Sequence, residues 1–426
     1  MLNLCGELFP DGLLRQVRNR FYNVAFDPIA NKKRVFFDNA GGSFRLKSAN
    51  DAFKKIDELP DCPEHSNFTS LWLNNVQNKA YDNLRVLFNA SSGTFVTSLT
   101  ASSVMYEIVR AVIENVPGEN VVTTSLEHPS AYDSVVTYAK REGKSLRVAE
   151  PNIETGGVDV ESIVELIDKD TCLLSVIYAS NISGSVLDIK TIVEEARKIK
   201  PDLYIVCDAV QHAPHGIIDV DMLGVDAANI APYKFGCPRG IGIGYVSDRL
   251  SRLPHDKLLA ANENKWELGS PPAGHFGAIN EYVDYVCWIG RQFVESEVPR
   301  INFVEGLNRI KLHERALMHF ALEGTEKIRG LRHIEGVTIY LDHADLSMRD
   351  FILALGIDGI SPVNLVREYE KYGIITFARM DSSPYSSRMI ESLRIESCVR
   401  VSPYHCHNTE DILKFLETTI VISKKR

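Results

Sequence analysis

The 426-residue chain has no apolar stretch of membrane-spanning length, and its N-terminus lacks the basic segment and apolar run of a secretory leader. These absences predict a soluble, cytoplasmic protein without a membrane partner. Positive charge is also in short supply. Its 47 Lys and Arg against 56 Asp and Glu leave a net charge of -9, with no basic stripe to neutralise phosphates, which argues against a nucleic-acid surface. The eight cysteines (Cys5, Cys62, Cys172, Cys207, Cys237, Cys287, Cys398 and Cys406) include no CxxC pair, so neither a metal site nor a disulfide framework is expected. No internal repeat or low-complexity tract is visible.

What remains is ordinary globular composition, 45% hydrophobic and 24% charged, in a chain longer than one core usually fills. Apolar runs at 120–123, 145–148, 171–178, 203–207 and 226–230 alternate with helical periodicity near 130–141, 159–167 and 188–199. That alternation predicts an α/β fold with a mostly parallel sheet flanked by helices. A glycine- and proline-rich loop at 261–277 and a helix near 278–295 lead into a smaller α+β domain, with short strands around 337–341 and 373–378. The expected division is an N-terminal segment, 1–35, packing on the small domain, then a large domain, 36–295, and a small C-terminal domain, 296–426.

Polar groups cluster where the strands end. Glu127 and His128 follow one strand, Asn181 another, Asp208 a third and Lys234 a fourth. In open α/β sheets, ligands sit outside the carboxyl ends of the strands. A lone lysine beside a carboxylate is what pyridoxal 5'-phosphate chemistry requires. The amine forms a Schiff base, and the acid keeps the pyridine nitrogen protonated so that the ring withdraws electrons. A strand running into hydroxyl residues at Thr97–Ser103 and then a helix suits a phosphate, although Ser and Thr also serve as plain N-caps. The glycine-rich turn after Val35, containing Asn39 and Ala40, is a place where backbone approaches a ligand closely. Asp208 as an N-cap, His128 as a satisfied loop histidine and Arg400 as an ion-pair partner stand as structural alternatives.

Taken in order, Glu127-His128, Asn181 with Gly184 and Ser185, Asp208 with Gln211 and His215, Tyr233-Lys234, Gly240 with Gly242, Gly269-Ser270, and Arg400 with Ser402 and Asn408 resemble the class V aminotransferase family, which includes cysteine desulfurases and selenocysteine lyases. The resemblance implies the fold-type I architecture of pyridoxal phosphate enzymes, with a seven-stranded-type sheet in the large domain. It also implies a homodimer with shared active sites. On that resemblance Lys234 holds the cofactor, Asp208 pairs with its ring nitrogen, and Gln211 bonds its phenolate oxygen. His128 stacks on the ring and moves protons, while Thr100, Ala101 and Ser102 receive the phosphate, with Ser270 of the partner subunit. Tyr233 lies beside the cofactor, and Arg400 and Asn181 hold the substrate carboxylate. Asn39, Ala40 and Arg379 line the substrate side. Arg379 and Arg388 would suit a second acidic group on the substrate, but exposed arginines are expected there.

Five departures from the family matter. Ala231 stands where many members have serine, Tyr233 where histidine is common, and Leu99 and Cys237 where glycine is frequent. The fifth concerns the reaction itself. The loop Gly373–Ser387 has no cysteine, where desulfurases carry the thiol that accepts sulfur. The expectation is a pyridoxal phosphate enzyme that binds an amino acid through its amine, abstracts the α-proton and acts as a C–S lyase without a persulfide cysteine. An aminotransferase, an epimerase and a catalytically silent binding protein are the alternatives.

Overall fold

The Val- and Ile-rich runs form strands because β-branched side chains pack well on a pleated surface buried on both faces. In a computed structural model describing residues 4–425, they are Thr94–Ser98 (β1), Asn120–Thr124 (β2), Ser145–Ala149 (β3), Thr171–Ile177 (β4), Tyr204–Asp208 (β5), Ala227–Ile230 (β6) and Gly242–Val246 (β7). They make one seven-stranded sheet in the order β1-β7-β6-β5-β4-β2-β3. Every pairing from β6 to β3 is parallel, and β7 runs antiparallel to both its neighbours. All of β4 is buried, as its unbroken apolar run requires.

Helices Ala101–Asn115 (α1), Pro129–Arg141 (α2) and Ile189–Ile199 (α3) flank this sheet. α3 buries Ile189, Ile192, Val193 and Ala196, a single helical stripe. The glycines of β7 have a packing role. A Cβ on Gly242 would come within 2.1 Å of the Ala101 nitrogen, and one on Gly244 within 2.7 Å of Val104. Glycine at both positions therefore lets the start of α1 lie directly on the strand.

The helix expected at 278–295 spans Ala273–Gly290 (α4). Gly274 and Gly277 read as loop residues but are contact points, since a Cβ on Gly277 would press Ile56 at 2.4 Å. The following helix, Pro299–Glu323 (α5), meets α4 backbone to backbone. Here Gly290 and Gly306 face carbonyl oxygens of Asn302 and Val286 that a Cβ would approach to 1.9 and 2.1 Å.

Beyond α5, Val337–Tyr340 (β8), Leu353–Ile357 (β9), Phe377–Arg379 (β10) and Cys398–Val401 (β11) form a second, antiparallel sheet in the order β8-β9-β11-β10. The run expected as one strand at 373–378 is divided. Ile374–Ile375 pairs with Val35–Phe36, and β10 pairs with β11. A separate core joins Val35 and Phe37 to Leu353, Leu355, Val399 and Phe415, the last on helix Thr409–Ser423 (α6). The early chain is tied elsewhere as well. Leu13, Val17 and Phe21 belong to the larger core, while Arg18 bonds Asp411 at 2.7 Å. Among the described residues no helix is long and apolar enough to cross a membrane.

One buried carboxylate fastens the start of β6 to β5 and to the turn after β7. Asp226 accepts from the Ile205 amide at 3.0 Å, Arg197 at 3.0 Å, Arg249 at 2.5 Å and Ser247 at 3.1 Å. Asp226→Ala strands two partly covered guanidiniums and an amide, so a loss of about 2–4 kcal/mol is expected, read as a lowered denaturation midpoint. A midpoint within about 0.5 kcal/mol of the parent would refute that role.

Candidate active site

β5 and β6 run side by side and parallel, so they end together. Asp208 is the last residue of β5, and Lys234 lies in the short 3-10 turn just after β6. They share a cavity of about 240 Å³. Its lining also includes Thr100, Ala101 and Ser102 at the start of α1, His128, Asn181, Gln211, Tyr233 and Arg239. Most of the residues singled out from sequence thus meet in one place.

The electrostatics at this point favour an uncharged amine. Lys234 is pushed down to about 7, first by burial and then by the nearby charge of Arg400. Its Nζ donates to the carbonyl oxygen of Ala40. Burial pushes Asp208 up to about 6, opposed by the Val210 amide that donates to it at 3.1 Å and by the Lys234 charge. His128 caps α2, its Nδ1 accepting from the Ser130 amide at 3.2 Å, and burial and then the Lys234 charge hold it down near 4. The imidazole is therefore neutral, with its ring facing the cavity. Behind it, burial and then the Asp208 charge raise Glu127 to about 8. Its Oε1 accepts from Thr124 at 2.9 Å and from the Ile177 amide at 2.7 Å, which ties the loop to β4.

Unsatisfied groups mark what the cavity takes. Asn181 Oδ1 and Gln211 Nε2 are buried without partners, as few native polar atoms are. Thr100 spends its hydroxyl on the Ser103 amide at 3.0 Å, leaving the first-turn N–H groups of Ala101 and Ser102 free of intrahelical acceptors. A carboxylate, an amine, an amide donor and a helix N-terminus around one cavity fit pyridoxal phosphate.

The remaining candidates divide. Arg400 is buried on β11 and bonds Asp38 at 2.6 Å and the Asn181 carbonyl at 3.3 Å. Asn39 spends its amide on the Phe36 and Ser402 carbonyls and on the Phe44 amide, so only backbone is left to meet a ligand in that turn. Ser270 is exposed, bonds Glu64, and lines a separate depression with Leu99 and Gly240 rather than the Lys234 cavity. The expectation of exposed arginines fails. Arg379 is only 6% exposed, and Arg388 is half-buried, donating to the Glu127 carbonyl at 2.5 Å and stacking on Tyr132. Sequence reasoning left Asp38 and Arg239 unassigned. The first is a strand-end carboxylate, which was a usable signal. Arg239 lies over the Tyr233 ring at 4.2 Å, within the glycine ribbon, where nothing in the sequence marks it.

Residues 35–415 match the Aminotransferase class-V family, and the chain belongs to it. A probable cysteine desulfurase of Borreliella burgdorferi is 25% identical over 317 residues, 70% of this chain and 68% of that protein. A cysteine desulfurase of Pectobacterium carotovorum is 27% identical over 231 residues, covering half of each chain (50% and 52%). In structure, the chain is similar to a cysteine desulfurase from Thermococcus onnurineus (TM-score 0.79, 20% identity, 97% and 98% of the two chains) and to one from Escherichia coli (0.78, 18%, 98% and 99%). The fold is that of type I pyridoxal phosphate enzymes, and the chain is a pyridoxal phosphate-dependent enzyme.

A lysine held near 7 is a nucleophile at neutral pH, because the neutral amine is the form present above its pKa. In the cofactor-free protein, labelling of Lys234 by an amine-selective reagent should be half-maximal near pH 7, against roughly 10.4 for an ordinary exposed lysine. A midpoint above 9, followed by peptide mass spectrometry, would refute the depressed value.

Proposed function

We propose that this cavity binds pyridoxal phosphate at Lys234 and processes an amino acid by α-proton abstraction, ending in cleavage of a C–S bond. When bound, the cofactor supplies an electron sink for the substrate α-carbon. The chain's own residues do the rest. Asp208 would keep a proton on the cofactor's ring nitrogen, and the unpartnered Gln211 Nε2 would donate to its phenolate oxygen. The first-turn amides of Ala101 and Ser102 receive the phosphate at the positive end of α1. Arg400 exchanges Asp38 for the substrate α-carboxylate, whose planar geometry its fork matches, and Asn181 assists. The neutral amine of Lys234 would take the proton from the substrate α-carbon, and the neutral His128 would accept or return a proton at the leaving group.

One observation favours direct release of the sulfur product. The loop between β10 and β11 contains no cysteine, Cys207, Cys237, Cys398 and Cys406 are buried with their thiols held protonated, and the exposed Cys5 and Cys62 lie far from that loop in sequence. Burial raises Cys398 to about 12, and Cys237 and Cys406 well above their ordinary range. Sulfur transfer to the enzyme needs an accessible thiolate. Water exposure of Leu99 and Leu268, which line the Ser270 depression, supports a homodimer in which the partner's Ser270 completes the phosphate site.

With L-cysteine or S-substituted cysteines, the holoenzyme should form pyruvate, ammonia and sulfide or thiol in equal amounts. Alanine together with enzyme-bound persulfide would establish a desulfurase instead. Aminated cofactor without pyruvate would establish transamination and defeat the lyase reading.

A further inference from the structure

β10 and β11 place two arginines on one face of the small sheet. Phe377 opposes Arg400 and Arg379 opposes Cys398, and directly opposed residues on antiparallel strands share a face, as do residues two apart. Arg400 has a carboxylate, Asp38, at 2.6 Å. Arg379 has none. Its guanidinium donates to the Tyr385 carbonyl at 3.0 Å, and its Nε is buried without a partner. Its charge lies close enough to depress both Lys234 and His128. Two like charges buried together, with one carboxylate between them, leave a cation uncompensated, which is costly without an anion to receive.

An α-carboxylate answers only one of these arginines. The cofactor's phosphate does not answer the other, because its place at the N-terminus of α1 belongs to the large sheet. Resting on the amino-acid reading above, we propose that the substrate side chain ends in a second anionic group and that Arg379 binds it. Arg379 is then the residue that sets specificity, and the substrate class is acidic amino acids, including cysteine S-conjugates that end in a carboxylate. The neutral side chain of free cysteine leaves Arg379 without a counter-charge.

Isosteric pairs that differ only in charge isolate this effect: S-carboxymethyl-L-cysteine against S-carbamoylmethyl-L-cysteine, and L-aspartate against L-asparagine. Each is titrated into the holoenzyme, and Kd is read from the change in the cofactor's visible absorption band. The acid should bind at least about 10-fold more tightly than its amide in one pair or both. The ratio should fall to about 1 in Arg379→Gln and recover in part in Arg379→Lys. Thermal stability of Arg379→Gln should equal or exceed that of the parent, since an unpaired buried cation is removed. A role that is merely structural would lower it. Equal binding of acid and amide by the parent in both pairs, or a ratio unchanged in Arg379→Gln, overturns the assignment of Arg379 alone. A protein with no visible band, or a band that no amino acid perturbs, overturns the cofactor reading itself.

Discussion

The burial of one amine governs this site. Lys234 is enclosed where Arg400, Arg239 and Arg379 add positive potential, and Asp38 only partly offsets it. The charged form is penalised on both counts, so the amine is poised near neutrality, where it can act as nucleophile and then as base. The same enclosure keeps His128 neutral and lifts Asp208 and Glu127. Positive potential from arginines and the loss of water from carboxylates push the site toward one outcome: it is short of negative charge and suited to an anionic ligand.

The fold makes that enclosure possible through close backbone approach. Adjacent parallel strands bring Asp208 and Lys234 to one edge, with Asp208 registered against Asn229. Gly242 and Gly244 let α1 settle on β7, which brings its free amides to the cavity that Asp208 also lines. The small sheet then contributes Arg379 and Arg400, and the pairing of Val35–Phe36 with Ile374–Ile375 brings the Asn39–Ala40 turn beside it. Of the positions expected from sequence to depart from the family, Ala231 and Tyr233 line the Lys234 cavity. Tyr233 lies beneath Arg239, and Leu99 is 73% exposed beside the Ser270 depression.

Much of this was legible in the sequence, for definite reasons. Runs buried on both faces must be apolar throughout, so the parallel strands read directly, and polar residues that end such runs have little reason to be there except chemistry. Glycines misled at 274 and 277, because a residue that signals a loop by composition here serves the contact between helices. The strand near 373–378 divides because its two halves pair with partners more than 300 residues apart in one case and about 20 in the other, which local periodicity does not encode. Arg379 read as exposed for the same reason. Its burial depends on the β10–β11 register, and the ion pair between Asp38 and Arg400 spans 362 residues.

The central claim is that Lys234, and no other lysine, carries the cofactor. Borohydride reduction of the yellow holoenzyme, followed by proteolysis and mass spectrometry, should place a single pyridoxyl group on the peptide containing Lys234. A pyridoxyl group on any other lysine, or none on a protein that retains its colour before reduction, would contradict the account.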